Sequence, residues 1–215
     1  MLELGLKVLV SYLAGSINGA LLLGALLGLE DVRRTGSGNA GATNAMRAHG
    51  KWFAAGVMVF DVLKGALPVL VLPELAVAGI AADPLVTREW LAYACAGAAV
   101  FGHCYPVWHD FAGGKGFATA IGALGAVLPG VLLPLAAAWA AGLLVFGYVG
   151  MATVLAAAAV PLYLSLTGTP GNLNAIACTA ALAAFIAYTH RSNLRAFLTG
   201  NYRPDLAFSL FRRTR

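Results

Sequence analysis

The chain has 215 residues, 60% of them hydrophobic and 11% charged, with a formal net charge of +5 and a mean hydropathy of +0.80. Soluble domains carry about a quarter charged residues, so the composition excludes a soluble globular protein and predicts an all-α, polytopic integral membrane protein. The basic residues are few and flank apolar runs, which excludes nucleic acid as a partner and fits a positive-inside bias.

In chain order, residues 4–28 predict a first span. Lys7 lies near its start and can snorkel. Gly15/Gly19 and Gly24/Gly28 are small pairs four residues apart, a spacing that lets helices approach closely. The run is too long, and too polar at Ser16 and Asn18, for a cleaved signal peptide. A polar loop follows over 30–51. It contains Gly36-Ser37-Gly38-Asn39-Ala40-Gly41-Ala42-Thr43-Asn44, closed by Arg47. Glycines permit turns that other residues resist, and Ser37, Asn39, Thr43 and Asn44 offer neutral hydrogen-bonding groups. Arg33, Arg34, Arg47 and Lys51 surround them with positive charge. Small residues that expose backbone N–H groups beside a helix start make a cradle for an anion, with phosphate the leading candidate.

A second span runs from Trp52 to Leu72 and carries Asp61 and Lys64 well inside it. Charges at that depth need a partner or water. Three residues apart on a helix, the two can pair with each other as a structural ion pair, or they can line a site. Residues 73–87 form a connection. A third span from Arg88 to Val107 leads through Gly102-His103 into the loop 108–116, with Gly113-Gly114-Lys115-Gly116 at a helix start. Phe117 to Leu166 holds no charged residue, and breaks at Pro129-Gly130 and Gly147–Gly150 divide it into three spans, the first of them short. A turn over Thr167–Asn172 precedes a seventh span, 173–189. The polar segment 190–200 contains His190 and Asn193, which share a face if the last helix continues through them. A basic tail, 201–215, has an apolar patch at Leu206–Phe211 suited to the membrane surface.

Seven spans put the termini on opposite sides. The first loop, the Lys115 loop and the C-terminal segment 190–215 then share one face and carry four, one and six Lys/Arg. Lys7 and Arg88 fall on the other. The bias predicts an outside N-terminus and a cytoplasmic C-terminus, with the whole chain a single membrane domain. The Lys115 loop is not a Walker A loop, because it lacks the earlier glycine and no Ser or Thr follows the lysine. The position of Asp in a His-x4-Asp motif after His103 is Trp108. Four scattered histidines and the spacing of Cys95, Cys104 and Cys178 predict no metal site.

At these residues the chain resembles the bacterial acyl-phosphate-dependent glycerol-3-phosphate acyltransferases, the PlsY family. Gly36-Ser37-Gly38-Asn39-x-Gly41-Ala42-Thr43-Asn44-x-x-Arg47 is similar to its first motif. Gly102-His103, Phe111 and Gly113-Gly114-Lys115-Gly116-x-Ala118-Thr119 are similar to its second. His190-x-x-Asn193, with Arg195, resembles its third, and Phe60–Gly65 is also family-like. Two departures stand out: Asn18 replaces a usual Pro, and Gly200-Asn201-Tyr202-Arg203 lacks the Glu that usually follows the third motif.

The resemblance implies transfer of a fatty acyl group from acyl phosphate to the sn-1 hydroxyl of glycerol 3-phosphate, giving lysophosphatidate and phosphate, without a cofactor, at the bacterial cytoplasmic (inner) membrane. Its partners are glycerol 3-phosphate, fatty acyl phosphate and membrane lipid. On that reading Ser37, Arg47, Lys115, His190 and Asn193 are the candidate catalytic residues. Gly36, Gly38, Asn39, Gly41, Thr43, Asn44, His103, Gly113, Gly114 and Gly116 are candidates for binding substrate phosphate. Either His190 or a substrate phosphate takes the hydroxyl proton. A transporter or flippase for a phosphorylated small molecule would use the same anion-binding groups, and Asp61 and Lys64 favour it; a site at one face with no clear internal repeat does not.

Overall fold

A computed structural model describes residues 1–167, 173–202 and 205. The expected turn at 168–172 and the apolar patch of the tail lie outside them. The described chain is helical with no strands, and it divides into two compact units, 1–129 and 130–215.

The first unit contains six α-helices: α1 (Leu2–Ser16), α2 (Gly19–Leu26), α3 (Ala42–His49), α4 (Lys51–Val71), α5 (Arg88–Cys104) and α6 (Phe117–Val127). The first apolar run is not one straight span. It breaks at Ile17-Asn18, and α1 and α2 meet at 50°. Asn18 explains the break: its side-chain oxygen accepts from the N–H groups of Ala20 (3.0 Å) and Leu21 (3.2 Å), starting a new helix.

Small residues set how closely the helices approach. A Cβ on Gly15 would run into the backbone of Ala99 on α5, and one on Gly102 into the Tyr12 carbonyl on α1. Gly65 and Gly122 do the same reciprocally between α4 and α6. The expected packing role thus holds at Gly15, while Gly28 meets open space and has a φ of +65°, so it serves the chain turn that ends α2. At the other end of this unit, the buried Glu3 and Lys7 form a network with the half-buried Arg88. Lys7 donates to Glu3 at 2.8 Å and to the Pro73 carbonyl at 3.2 Å, so it pairs inside the bundle instead of snorkelling.

The second unit contains α7 (Leu132–Phe146), α8 (Val149–Thr167), α9 (Leu173–Thr189) and α10 (Arg191–Leu198). α8 packs against both α7 and α9. Leu133, Leu144, Leu162 and Leu166 face outward, as expected of helices whose solvent is lipid. α4, α8 and the segment Pro129–Phe146 are each long and apolar enough to cross a membrane, and the bent pairs α1–α2 and α9–α10 bring the number to five.

Candidate active site

The glycine loop of the first unit is wired by one side chain. Asn44, 1% exposed, donates through Nδ2 to the carbonyls of Val32 (2.7 Å) and Thr35 (3.0 Å). Its Oδ1 accepts from the N–H of Ser37 at 2.9 Å. Gly36 sits at φ +57°, where a Cβ would collide with that same Oδ1. Apolar residues anchor the loop from beneath: Val32, Ala40 and Ala45 are buried with Ala20, Leu21, Ala54 and Val57. Ser37 and Gly38 are left exposed at the tip, with Asn39, Gly41 and Thr43 half-buried beside them. Gly41 begins α3 with no side-chain cap, and Arg47 is exposed in the last turn of that helix.

The second loop abuts the first. The N–H groups of Gly113 and Gly114 donate to the carbonyls of Cys104 (3.2 Å) and His103 (3.1 Å), folding the loop back on the end of α5. Only glycine fits at 114, because a Cβ there would meet the His103 imidazole and, at 2.8 Å, the carbonyl of Ala40 in the first loop. Asn18 donates to that same Ala40 carbonyl at 3.0 Å. Arg33 ties the loops again, donating to the carbonyls of His109 (3.2 Å) and Ala112 (3.3 Å) while paired with Asp31 at 2.7 Å. That guanidinium holds the Asp31 carboxyl below the ordinary carboxylate range by hydrogen bonding. Burial, and then the Arg33 charge, push the His109 imidazole below its usual value. Lys115 is half-buried, and Gly116, at φ +87°, starts α6 with no side-chain cap.

Behind the loops lies the polar pair inside α4. Lys64 and Asp61 pair at 2.9 Å, as the structural reading of their spacing expects. They also repair the α1–α2 break: Lys64 donates to the Ile17 carbonyl at 2.9 Å, and Asp61 accepts from the Gly19 N–H at 3.1 Å. A broken helix exposes backbone groups that lipid cannot satisfy, and this pair supplies their partners. His103 is 2% exposed, with Nδ1 3.5 Å from Asp61. It backs the Lys115 loop from inside the bundle, as Asn44 backs the Ser37 loop.

The third motif lies in the second unit. α9 ends at Thr189 and the chain bends by 62° into α10, so the helix does not run straight through His190 and Asn193. His190 is the N-cap of α10. Its Nδ1 lies 2.8 Å from the Ile186 carbonyl, which can only accept, so Nδ1 is the donor of that pair. Asn193 donates through Nδ2 to the Tyr148 hydroxyl at 2.6 Å. Tyr148 and Asp205, which accepts from the Val149 N–H at 3.0 Å, carry no motif signal and escape a reading of the sequence. So do Asn18 and Arg33 as loop anchors.

Apolar helices, two of the spans broken, with paired glycine loops flanked by Arg and Lys, define an integral membrane protein. The family described as glycerol-3-phosphate acyltransferase matches residues 6–200. The chain is 40% identical over 203 residues to a glycerol-3-phosphate acyltransferase of Rubrobacter xylanophilus, covering 94% of this chain and 95% of that one. It is 39% identical over 198 residues to the Azotobacter vinelandii protein of the same name, covering 92% and 97%. Two crystal structures of PlsY (YgiH), described as an integral membrane glycerol 3-phosphate acyltransferase, are similar across 94% of each chain. The glycerol 3-phosphate form has a TM-score of 0.79 at 36% identity, and the lysophosphatidic acid form 0.78 at 35%. The chain belongs to the glycerol-3-phosphate acyltransferase family and is a membrane acyltransferase.

Proposed function

We propose that the protein transfers a fatty acyl group from acyl phosphate to the sn-1 hydroxyl of glycerol 3-phosphate, releasing lysophosphatidate and phosphate. The observation that carries this reading is the abutment of the Gly36–Asn44 and Gly113–Gly116 loops through Gly114, Ala40 and Arg33. Two rigid, basic, glycine-rich loops suit a reaction in which both substrates carry phosphate. The related structures in glycerol 3-phosphate and lysophosphatidic acid forms support the acceptor and the product.

On this reading Ser37, in the turn formed by Gly36, Gly38 and Gly41, holds the acyl-phosphate phosphate, assisted by Asn39 and Thr43. Arg47 and Lys115 neutralise phosphate in the substrates and on the leaving group, with Gly113, Gly114 and Gly116 shaping the lysine loop. Asn44 and His103 hold the two loops in place. His190 and Asn193 orient glycerol 3-phosphate. The hydroxyl oxygen attacks the acyl carbon, the bond from that carbon to the phosphate oxygen breaks, and the proton passes to His190 Nε2 or to phosphate. An acyl phosphate is a mixed anhydride and already activated, so positioning and charge neutralisation are the main demands on the protein.

The topology we infer has seven spans. It adds α5 and the short α6 to the five spans counted above, in a bacterial cytoplasmic membrane, as one membrane domain. The N-terminus lies outside, and the basic loops, the tail and the active site face the cytoplasm, on the strength of the Lys/Arg bias. The structural pairing of Asp61 with Lys64 removes the feature that favoured a transporter. Lys115→Ala tests the site: turnover of acyl phosphate and glycerol 3-phosphate should fall by about a thousandfold or more, the scale of losing a group that stabilises developing charge. Turnover near wild type would remove Lys115 from the reaction.

A further inference from the structure

The turn between α7 and α8 is held by an acid from beyond the third motif. Asp205 makes two bonds to it, one on each side of Tyr148: its backbone N–H donates to the Gly147 carbonyl at 2.7 Å, and its Oδ2 accepts from the Val149 N–H at 3.0 Å. The second bond caps the start of α8, where a carboxylate is favoured by the unpaired amides and the helix dipole. Gly147 takes φ +63°, which lets the chain reverse there. The Tyr148 ring packs on Tyr202 at 5.0 Å, Tyr202 on Phe197 at 5.1 Å, and Phe197 on Phe146 at 5.4 Å. One residue of the turn is therefore fixed by its backbone neighbours and by its ring, and its hydroxyl accepts from Asn193 Nδ2 at 2.6 Å. Gly150, the second residue of α8, leaves the space that Asn193 fills, since a Cβ there would stand 2.6 Å from Nδ2.

We propose that Tyr148 is a positioning residue for Asn193 in glycerol 3-phosphate recognition, and that Asp205 clamps the turn that aims it. This rests on the reading of Asn193 as a residue that orients glycerol 3-phosphate. That bond to a phenol whose ring is held by its stack keeps the Asn193 amide in one place against the start of α8, in the segment that His190 heads.

The test is steady-state kinetics on the full-length protein in detergent or lipid, with acyl phosphate and glycerol 3-phosphate varied in turn. Tyr148→Phe keeps the ring stack and removes the hydroxyl. It should raise KM for glycerol 3-phosphate about fivefold to tenfold, with KM for acyl phosphate and the thermal midpoint unchanged. Asp205→Ala should shift KM for glycerol 3-phosphate in the same direction, and Asp205→Asn, which keeps an accepting oxygen, should restore it. In the Asn193→Ala background, Tyr148→Phe should add nothing. If Asn193→Ala leaves glycerol 3-phosphate kinetics at wild type, the reading of Asn193 fails and this proposal with it. If Asn193→Ala is impaired while Tyr148→Phe matches wild type, moves both KM values alike, or multiplies the Asn193→Ala loss, the proposal alone is overturned.

Discussion

Two of the apolar runs are broken, and the breaks are resolved in opposite ways. At Ile17-Asn18 the freed backbone groups are taken up by Lys64, Asp61 and Asn18, all buried. At His190 the bend places a buried histidine at the head of α10, with Asn193 half-buried three residues on. The first break is a repair: the local Asn18 and two side chains from α4 replace the hydrogen bonds that a straight helix would have made. The second places two side chains with a donor, an acceptor and a titratable nitrogen in one short segment. In an apolar chain, a polar residue in the middle of a helix is therefore no guide to chemistry until its partner is known.

Substitutions should separate the two breaks. Lys64→Ala leaves the Asp61 carboxylate buried and the Ile17 carbonyl without its donor. Breaking a buried pair on one side costs about 3–5 kcal/mol, so a large fall in the denaturation midpoint in detergent is expected. His190→Ala should cost less, about 1–3 kcal/mol, because the buried ring loses its bond to the Ile186 carbonyl. If His190 is the base, its chemical step is lost while glycerol 3-phosphate binding stays measurable. Substantial remaining turnover would move the proton to a substrate phosphate. A Lys64→Ala protein of normal stability would dissolve the contrast between the breaks.

Asn44→Ala sharpens it further, because the wired loop combines both roles. Removing three hydrogen bonds of a buried side chain should cost about 1–3 kcal/mol and also lower activity, since the Ser37 backbone loses its anchor. Loss of stability with unchanged kinetics would detach the loop from the site. The smallest effect concerns Asp31, which is partly exposed. Its carboxyl is depressed in the fold by Arg33, so its contribution is present above the ordinary carboxylate value and fades as pH falls through the lower, folded value. Asp31→Asn should flatten the acid limb of the stability profile by about 0.5 kcal/mol, measured as midpoint against pH.

Much of the helical layout is readable from hydropathy. The span read as Trp52 to Leu72 is Lys51–Val71, the one read as 173–189 is Leu173–Thr189, and the breaks at Pro129-Gly130 and Gly147–Gly150 separate α6, α7 and α8. The α1–α2 bend hides because apolar residues continue on both sides of it. The clue is Asn18 before Gly19, a helix-start signal embedded in a hydrophobic run. The glycine loops announce themselves by composition, yet what holds them does not: Asn44 looks like one more polar group of the cradle, and His103 like a ligand, until their burial is seen. Tyr148 and Asp205 meet Asn193 and the Gly147–Val149 turn through contacts of 45 and 56 residues' separation, which no local pattern encodes.

The central claim is that phosphate, not a thioester carrier, brings the acyl group to these loops. Purified protein should be given labelled glycerol 3-phosphate with palmitoyl phosphate, palmitoyl-coenzyme A or palmitoyl-carrier protein in parallel, with Lys115→Ala beside it. The account predicts lysophosphatidate from palmitoyl phosphate alone, lost in the variant. Product from either thioester at a comparable rate, or none from palmitoyl phosphate, would contradict it.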